Sequence, residues 1–149
     1  MTVPFSVSAL CAGDIPTLAE LERLCFSRPW SAAALAEELD NPAALFLVAR
    51  TEDGTVAGYV GAHLAVPEAF MDNLAVFPAF RRQGAARLLL QNLREACAAR
   101  GVNRLALEVR AGNGEAQRLY RACGFVQDGR RPGFYRQPAE DALLFSLTF

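Results

Sequence analysis

The sequence predicts an α+β fold: a mixed, mostly antiparallel sheet of seven strands with one central parallel pair, flanked by about four helices. Three observations predict it. Two strand-like runs, Leu45–Arg50 and Val56–Leu64, are joined across Asp53-Gly54, a strong hairpin signal. A helical segment, Ala85–Arg100, lies between the strand-like runs Ala69–Val76 and Arg104–Val109, which is the crossover a parallel pair requires. The tail from Phe125 to Phe149 reads as two further strands around the Pro/Gly-containing loop Arg130–Tyr135.

In chain order, Ser6–Leu10 reads as a short strand. Asp14 can cap a helix whose apolar positions Ile15, Leu18, Leu21 and Cys25 follow helical spacing, with Pro16 tolerated in its first turn. Phe26–Trp30 is a break, Ser31 is an N-cap, and a second helix carries Leu35 and Leu39 until Asn41-Pro42 ends it. Trp30 is either a core anchor or a wall of a substrate pocket. Gly58 and Gly61 weaken the second hairpin strand and mark a close approach by a neighbour. A third strand, Ala69–Val76, continues the meander. The helix that follows buries Leu89, Leu93, Ala96 and Cys97 and ends at Gly101. Arg104–Val109 is nearly continuous in apolar residues, as in a strand buried on both faces. Asn113 caps the last helix, whose face Ala116, Leu119, Tyr120 and Cys123 is apolar before Gly124 stops it.

Composition bounds the function. A chain of 149 residues, 52% hydrophobic and 21% charged, suits one globular domain spanning residues 1–149. The sequence has no apolar run of bilayer-spanning length, and MTVPFSVSAL lacks the features of a signal peptide, so the expected compartment is the cytoplasm, with no membrane partner. A net charge of −1 argues against a nucleic-acid binder working through bulk charge. Cys11, Cys25, Cys97 and Cys123 form no CxxC pair and, with His63 the single histidine, give no metal site; they read as small buried hydrophobes.

Chemistry concentrates in Met71–Gln91. After the strand ends at Pro78, Arg81 and Arg82 precede the small-residue turn Gly84-Ala85-Ala86, which opens a Leu-rich helix. The free N–H groups at a helix start suit an anion such as phosphate. Gly84, Ala85 and Ala86 let it approach the backbone, and Arg81, Arg82 and Arg87 add charge. The alternative is a solvated basic loop. Glu108, between Leu107 and Val109, is costly to bury unpaired, and desolvation brings a carboxylate into the range of a general base; the alternative is an ion pair with Arg110 on the same strand face. Tyr120 is either a packing residue or a proton donor.

The hexad Arg81-Arg82-Gln83-Gly84-Ala85-Ala86 matches the pattern [QR]xxGx[GA], and it follows the strand Asn73-Leu-Ala-Val76. In these features, and over essentially its whole length, the chain resembles the GNAT N-acetyltransferases. CFSRPWS (Cys25–Ser31), LEVRAGNGEAQRLYRACGF (Leu107–Phe125) and EDALLFSL (Glu140–Leu147) look most like the family's RimI-like, ribosomal-protein alanine N-acetyltransferase branch. The resemblance implies acetyl-CoA as cofactor. It implies that the backbone of Leu74, Ala75 and Val76 holds the acetyl and pantetheine part. It gives the pyrophosphate to the amides of Arg82 to Arg87, Gln83 among them, puts Arg81 on the cofactor side as well, and gives a further contact to Asn113. Glu108 would then be the general base and Tyr120 the acid for the leaving thiolate, with Trp30, Asp72, Asn73 and Tyr135 on the acceptor side. The implied acceptor is the N-terminal α-amine of a protein, with a small amine as the alternative, or a non-catalytic CoA-binding module as the reading from another class; the expected state is a monomer or weak dimer. Two positions depart from the branch. Asp72 stands where a neutral residue is expected, at the acceptor mouth or paired with a nearby arginine, and Phe134-Tyr135 replaces a Tyr-Tyr pair.

Overall fold

The computed structural model describes residues 4–136 and 138–149. A seven-stranded sheet runs in the order β1-β2-β3-β4-β5-β7-β6. Its strands are β1 (Ser6–Ala9), β2 (Ala44–Arg50), β3 (Val56–Ala65), β4 (Glu68–Val76), β5 (Arg104–Arg110), β6 (Val126–Arg136) and β7 (Ala139–Thr148). Every neighbouring pair is antiparallel except β4 with β5, which the crossover helix α3 (Ala85–Ala99) makes parallel.

The faces of the sheet are covered separately. Helices α1 (Ile15–Cys25) and α2 (Ala32–Glu37) pack Leu18, Leu21 and Leu35 on Phe46, Val48 and Tyr59. On the other face, α3 and α4 (Gly114–Ala122) bring Leu89, Leu93, Cys97 and Tyr120 into one cluster with Val60, Leu105, Leu107 and Phe145. Each fully buried leucine contributes about 1.5–3 kcal/mol by leaving water. Gly61 is needed where Phe46 lies flat on β3, since a Cβ there would stand 2.5 Å from the ring.

Several local expectations are corrected. Asp14 does not cap α1; a 3-10 turn (Ala12–Asp14) precedes the helix, and the Asp14 carboxylate accepts from the Cys11 N–H at 2.9 Å and pairs with Arg50 at 2.7 Å. The Arg50 hydrogen bond holds Asp14 below the usual carboxylate range, against the opposing effect of burial. Leu39 is exposed, because α2 gives way to a 3-10 turn (Glu38–Asp40) that rotates it off the face buried by Leu35. Of the four cysteines only Cys97 is buried; Cys11 is exposed and Cys25 and Cys123 are half-buried. Arg130–Tyr135 is not a loop between strands but lies inside β6, where the pairing jumps from Arg131↔Ala142 to Tyr135↔Glu140 and Pro132-Gly133 bulge outward. β5 is buried on one face only: Leu105, Leu107 and Val109 are buried, whereas Ala106, Glu108 and Arg110 are half-buried.

Candidate active site

The half-buried face of β5 borders a gap in the sheet. β4 and β5 pair from Glu68↔Arg104 to Met71↔Leu107 and no further. Beyond that point Asp72–Val76 and Glu108–Arg110 part. The divergence begins where β3–β4 pairing shifts register between Gly61 and Ala62, so that Asp72 is the extra residue of β4. The β5-facing edge of Asp72–Val76 therefore has no strand partner, and its backbone polar groups face a cleft of about 840 Å³.

At one end of the cleft the chain turns into α3. Gly84, the N-cap, has φ +90° and Arg82 has φ +62°, a left-handed conformation uncommon for a residue with a side chain. The first backbone bond into the helix is Leu88 N–H to the Gly84 carbonyl at 3.0 Å, so the amides before it point to the cleft without helical acceptors. Arg82, Gly84, Ala85, Ala86 and Arg87 line it. Arg81 lines it too, but its guanidinium donates to the Val76 carbonyl at 3.0 Å and reaches the Cys25 sulfur at 3.5 Å, tying β4 to α1. Gln83 is not among the lining residues; its side chain donates to the Ala79 carbonyl at 3.1 Å. These features fit a phosphate-bearing cofactor: uncapped amides, a positive helix end, flanking arginines and an unpaired strand edge for an extended amide chain.

Across the cleft stand β5 and α4. The Glu108 side chain is 14% exposed and pairs with Arg131 of β6 at 3.1 Å, not with Arg110. Arg110 instead pairs with Glu140 at 3.3 Å and lies over the Tyr135 ring at 4.2 Å. Arg131 is paired with Ala142 of β7, which is paired in turn with Arg110 of β5, and from there its guanidinium reaches Glu108. Asn113 lines the cleft while its side-chain oxygen Oδ1 caps α4 by accepting from Ala116 N–H at 3.2 Å. Tyr120 packs against Phe125 and Phe145, with ring centroids at 5.8 and 6.2 Å. Its hydroxyl has no hydrogen-bond partner among the described residues, yet none of their sealed polar side-chain atoms lacks one, so the hydroxyl opens into the cleft. Burial, helped by Tyr135 and Cys123, raises the Tyr120 pKa far above the ordinary value and keeps it protonated.

Toward α1 and α2 stand groups that sequence reasoning missed. Glu22, fully buried on α1, accepts from the Trp30 N–H at 2.8 Å, the Tyr59 hydroxyl at 2.6 Å and the Asn73 amide at 3.1 Å. Burial raises its pKa, opposed by those three donors. The signal was available, since position 22 lies four after Leu18 and seven after Ile15, on the helix's apolar face. Asn73 lines the cleft with its amide engaged by this cluster. Trp30 does not line it; the ring packs on Phe46 and stacks on His63 at 6.3 Å. Asp72 lines the cleft and bonds His63 Nδ1 rather than an arginine, while His63 Nε2 meets Glu38 at 2.8 Å. Tyr135 lines the cleft, as do Phe26, Ser27 and Arg28. Cys25 contacts Arg81, and both nitrogens of His63 are occupied by carboxylates.

A model of the acetyltransferase (GNAT) family matches residues 15–125. A Bacillus subtilis (strain 168) protein, provisionally described as a [ribosomal protein bS18]-alanine N-acetyltransferase, is 36% identical over 136 residues, 91% of this chain and 89% of its own. The [ribosomal protein bS18]-alanine N-acetyltransferase of Escherichia coli (strain K12) is 33% identical over 144 residues, 95% of this chain and 96% of its own. The crystal structure of the ribosomal-protein-S18-alanine N-acetyltransferase from Escherichia coli superposes with a TM-score of 0.87 at 32% identity, covering 97% of this chain and 93% of that one.

Proposed function

The chain belongs to the acetyltransferase (GNAT) family and is an acetyl-CoA-dependent N-acetyltransferase, and from that premise we propose that its acceptor is the N-terminal α-amine of a protein, of the ribosomal-protein alanine type. The similarity to enzymes of that description supports this reading. The observation that carries it is the parting of β4 and β5, which leaves Asp72 and Glu108 on opposite walls of a cleft that continues between Phe26–Arg28 and Phe134–Arg136. A polypeptide end can enter such a channel, whereas a small cation favours a closed acidic pocket. We read residues 1–149 as one domain acting in the cytoplasm, where ribosomal proteins are made, as a monomer or weak dimer without direct nucleic-acid contact.

In this reading the amides of Arg82, Gly84, Ala85, Ala86 and Arg87 hold the pyrophosphate, with Arg82 and Arg87 adding charge, Asn113 touches the cofactor, and the free edge of Leu74–Val76 holds the pantetheine amides. The bound cofactor supplies an acetyl thioester whose sulfur leaves. Glu108 takes a proton from the acceptor ammonium, and the Tyr120 hydroxyl, kept protonated by burial, gives its proton to the departing sulfur. Arg131 orients Glu108. The rate then owes much to holding amine and carbonyl in contact.

The deciding experiment presents acetyl-CoA with N-terminal peptides, lysine peptides and small amines and reads transfer by mass. Preferential acetylation of peptide α-amines is expected; acetylation of small amines alone overturns the acceptor reading. Glu108→Gln is expected to lower kcat roughly tenfold to 100-fold, since solvent can remove part of the amine's proton without it. Arg131→Met breaks the same ion pair but leaves the carboxylate, so its loss should be several-fold smaller; equal losses in steady-state assays would make Glu108 a structural partner only. Gly84→Val meets no atom of the fold but must adopt φ +90°, so it should cost about 1–2 kcal/mol of stability and weaken CoA binding by covering the amides. Calorimetry on the folded variant with unchanged CoA affinity would remove Gly84 from the cofactor site.

A further inference from the structure

Asp72 is one of the two positions where this chain departs from the branch it resembles, and the structure gives it a partner whose charge can change. His63 is clamped between two carboxylates, Asp72 Oδ2 on Nδ1 at 2.5 Å and Glu38 Oε2 on Nε2 at 2.8 Å. A neutral imidazole has one N–H and can donate to only one carboxylate, whereas an imidazolium donates to both. The ring is therefore built to hold its second proton. Partial burial pulls the His63 pKa down, but the bonds to Glu38 and Asp72 outweigh it and raise the value above that of ordinary histidine. The charged groups facing the ring are Glu38 from the 3-10 turn after α2 and Asp72 from β4; Trp30 and Phe46, which pack on it, carry no charge. Glu22 stands one step away, bonded to Tyr59 and Asn73. Asp72 uses one oxygen on His63, and among the described residues Oδ1 accepts no bond. That oxygen belongs to a side chain that lines the cleft where β4 and β5 part.

We propose that Asp72 Oδ1 receives the acceptor's α-ammonium and that His63, held by Glu38, is the positioning residue whose proton competes with that ammonium for the Asp72 charge. This rests on the reading that a cationic amine enters beside Asp72. With His63 protonated, Asp72, Glu38 and the ring carry one net negative charge; when the ring loses its proton they carry two. An ammonium beside Asp72 is held more weakly in the first state, because two positive charges then share one carboxylate. His63 thus makes acceptor capture depend on pH, with binding tightening as pH rises through the ring's raised pKa. The amine itself must lose a proton before attack, so the device favours capture at the pH where attack also becomes possible.

The coupling is reciprocal. Charges about 6 Å apart in a partly solvated site interact enough to change affinity by roughly three- to tenfold. If protonated His63 weakens acceptor binding by that factor, a bound ammonium must lower the His63 pKa by roughly 0.5–1 unit. His63 is the single histidine of the chain, so its ring nitrogens give isolated signals in an ¹⁵N-labelled sample. The first arm titrates that ring with CoA present, which prevents turnover, and with an alanine-initiated hexapeptide bearing either a free or an acetylated N-terminus. The free-amine peptide should lower the ring's pKa and the acetylated one should not; identical titrations with both peptides overturn the proposal. The second arm is kinetic. His63→Gln keeps hydrogen bonds and removes the charge, so its acceptor KM near pH 6 should be roughly three- to tenfold lower than that of the natural enzyme. The two should converge above the ring's titration, with the KM for acetyl-CoA unchanged throughout. The amine's own protonation cancels in that ratio. A KM ratio independent of pH, or a loss of kcat with both substrates as from a folding defect, overturns the proposal. Asp72→Asn removes the shared carboxylate, so adding His63→Gln to Asp72→Asn should change the acceptor KM by less than it does in the natural chain; a pH-dependent difference of undiminished size in that background overturns the proposal. If small amines are acetylated and peptides are not, the peptide reading fails, and the ring's response to that small amine decides this proposal in its place.

Discussion

Replacing Tyr120 with phenylalanine is expected to lower kcat by roughly 100-fold or more while changing stability by under about 1 kcal/mol. The two halves of that expectation come from different observations. The ring is buried against Phe125 and Phe145, and phenylalanine keeps those contacts. The hydroxyl bonds to nothing among the described residues and opens into the cleft, so removing it breaks no hydrogen bond within the fold. A tyrosine kept for stability would show the opposite pattern, with an unchanged rate and a lowered melting temperature. Burst and steady-state kinetics with the identified acceptor, together with urea unfolding, separate the two. A variant that turns over like the natural enzyme would mean that solvent protonates the leaving sulfur.

The second large effect is on stability. Glu22→Ala should cost about 3–5 kcal/mol, because it leaves the Trp30 N–H, the Tyr59 hydroxyl and the Asn73 amide without their common acceptor in a site closed to water. Glu22→Gln keeps an acceptor for part of the cluster and should cost about 1 kcal/mol. A pH signature accompanies it. Burial raises the folded-state pKa of Glu22 above its unfolded value, so its contribution to stability is fully present below the ordinary glutamate pKa and is lost as pH rises through the folded value. Glu22→Gln removes this dependence. Urea denaturation of both proteins across that window should show the difference between them narrowing as pH rises; a constant difference would mean that Glu22 titrates alike in both states.

Much of the fold was legible because local chemistry and tertiary packing agree. The Asp53-Gly54 hairpin, the α3 crossover with its glycine-led start and the Asn113 cap each rest on rules of a few residues, and the structure keeps all three. Three of the errors share one cause, which is a side chain or strand used at long range. Asp14 looked like a cap but answers to Arg50, 36 positions away. An ion pair with Arg110 two residues on was one of two readings of Glu108, yet its partner is Arg131 of β6, 23 positions away. β5 read as buried on both faces, because apolar composition cannot reveal that its neighbour parts from it after Leu107. At the proposed site, the turn read as anion-binding was legible from small residues and arginines. The acceptor side was not, since Glu22, Glu38 and His63 come together only when α1, the end of α2 and β3 meet.

The sheet carries two apolar clusters, one on each face, and in the proposed reading the two halves of the reaction are divided between them. The anion-binding turn and Tyr120 grow from the α3–α4 side, whereas Trp30, His63 and the Glu22 network belong to the α1–α2 side. Substitutions that repack the second side can therefore redirect which amine is chosen without loosening the grip on the donor. For an engineer the molecule is two modules sharing one wall, and the choice of amine can be retuned while the donor module stays fixed. Laboratory selection for a new acceptor should accordingly begin with α1, α2 and the bulged residue of β4, and leave the α3 turn untouched.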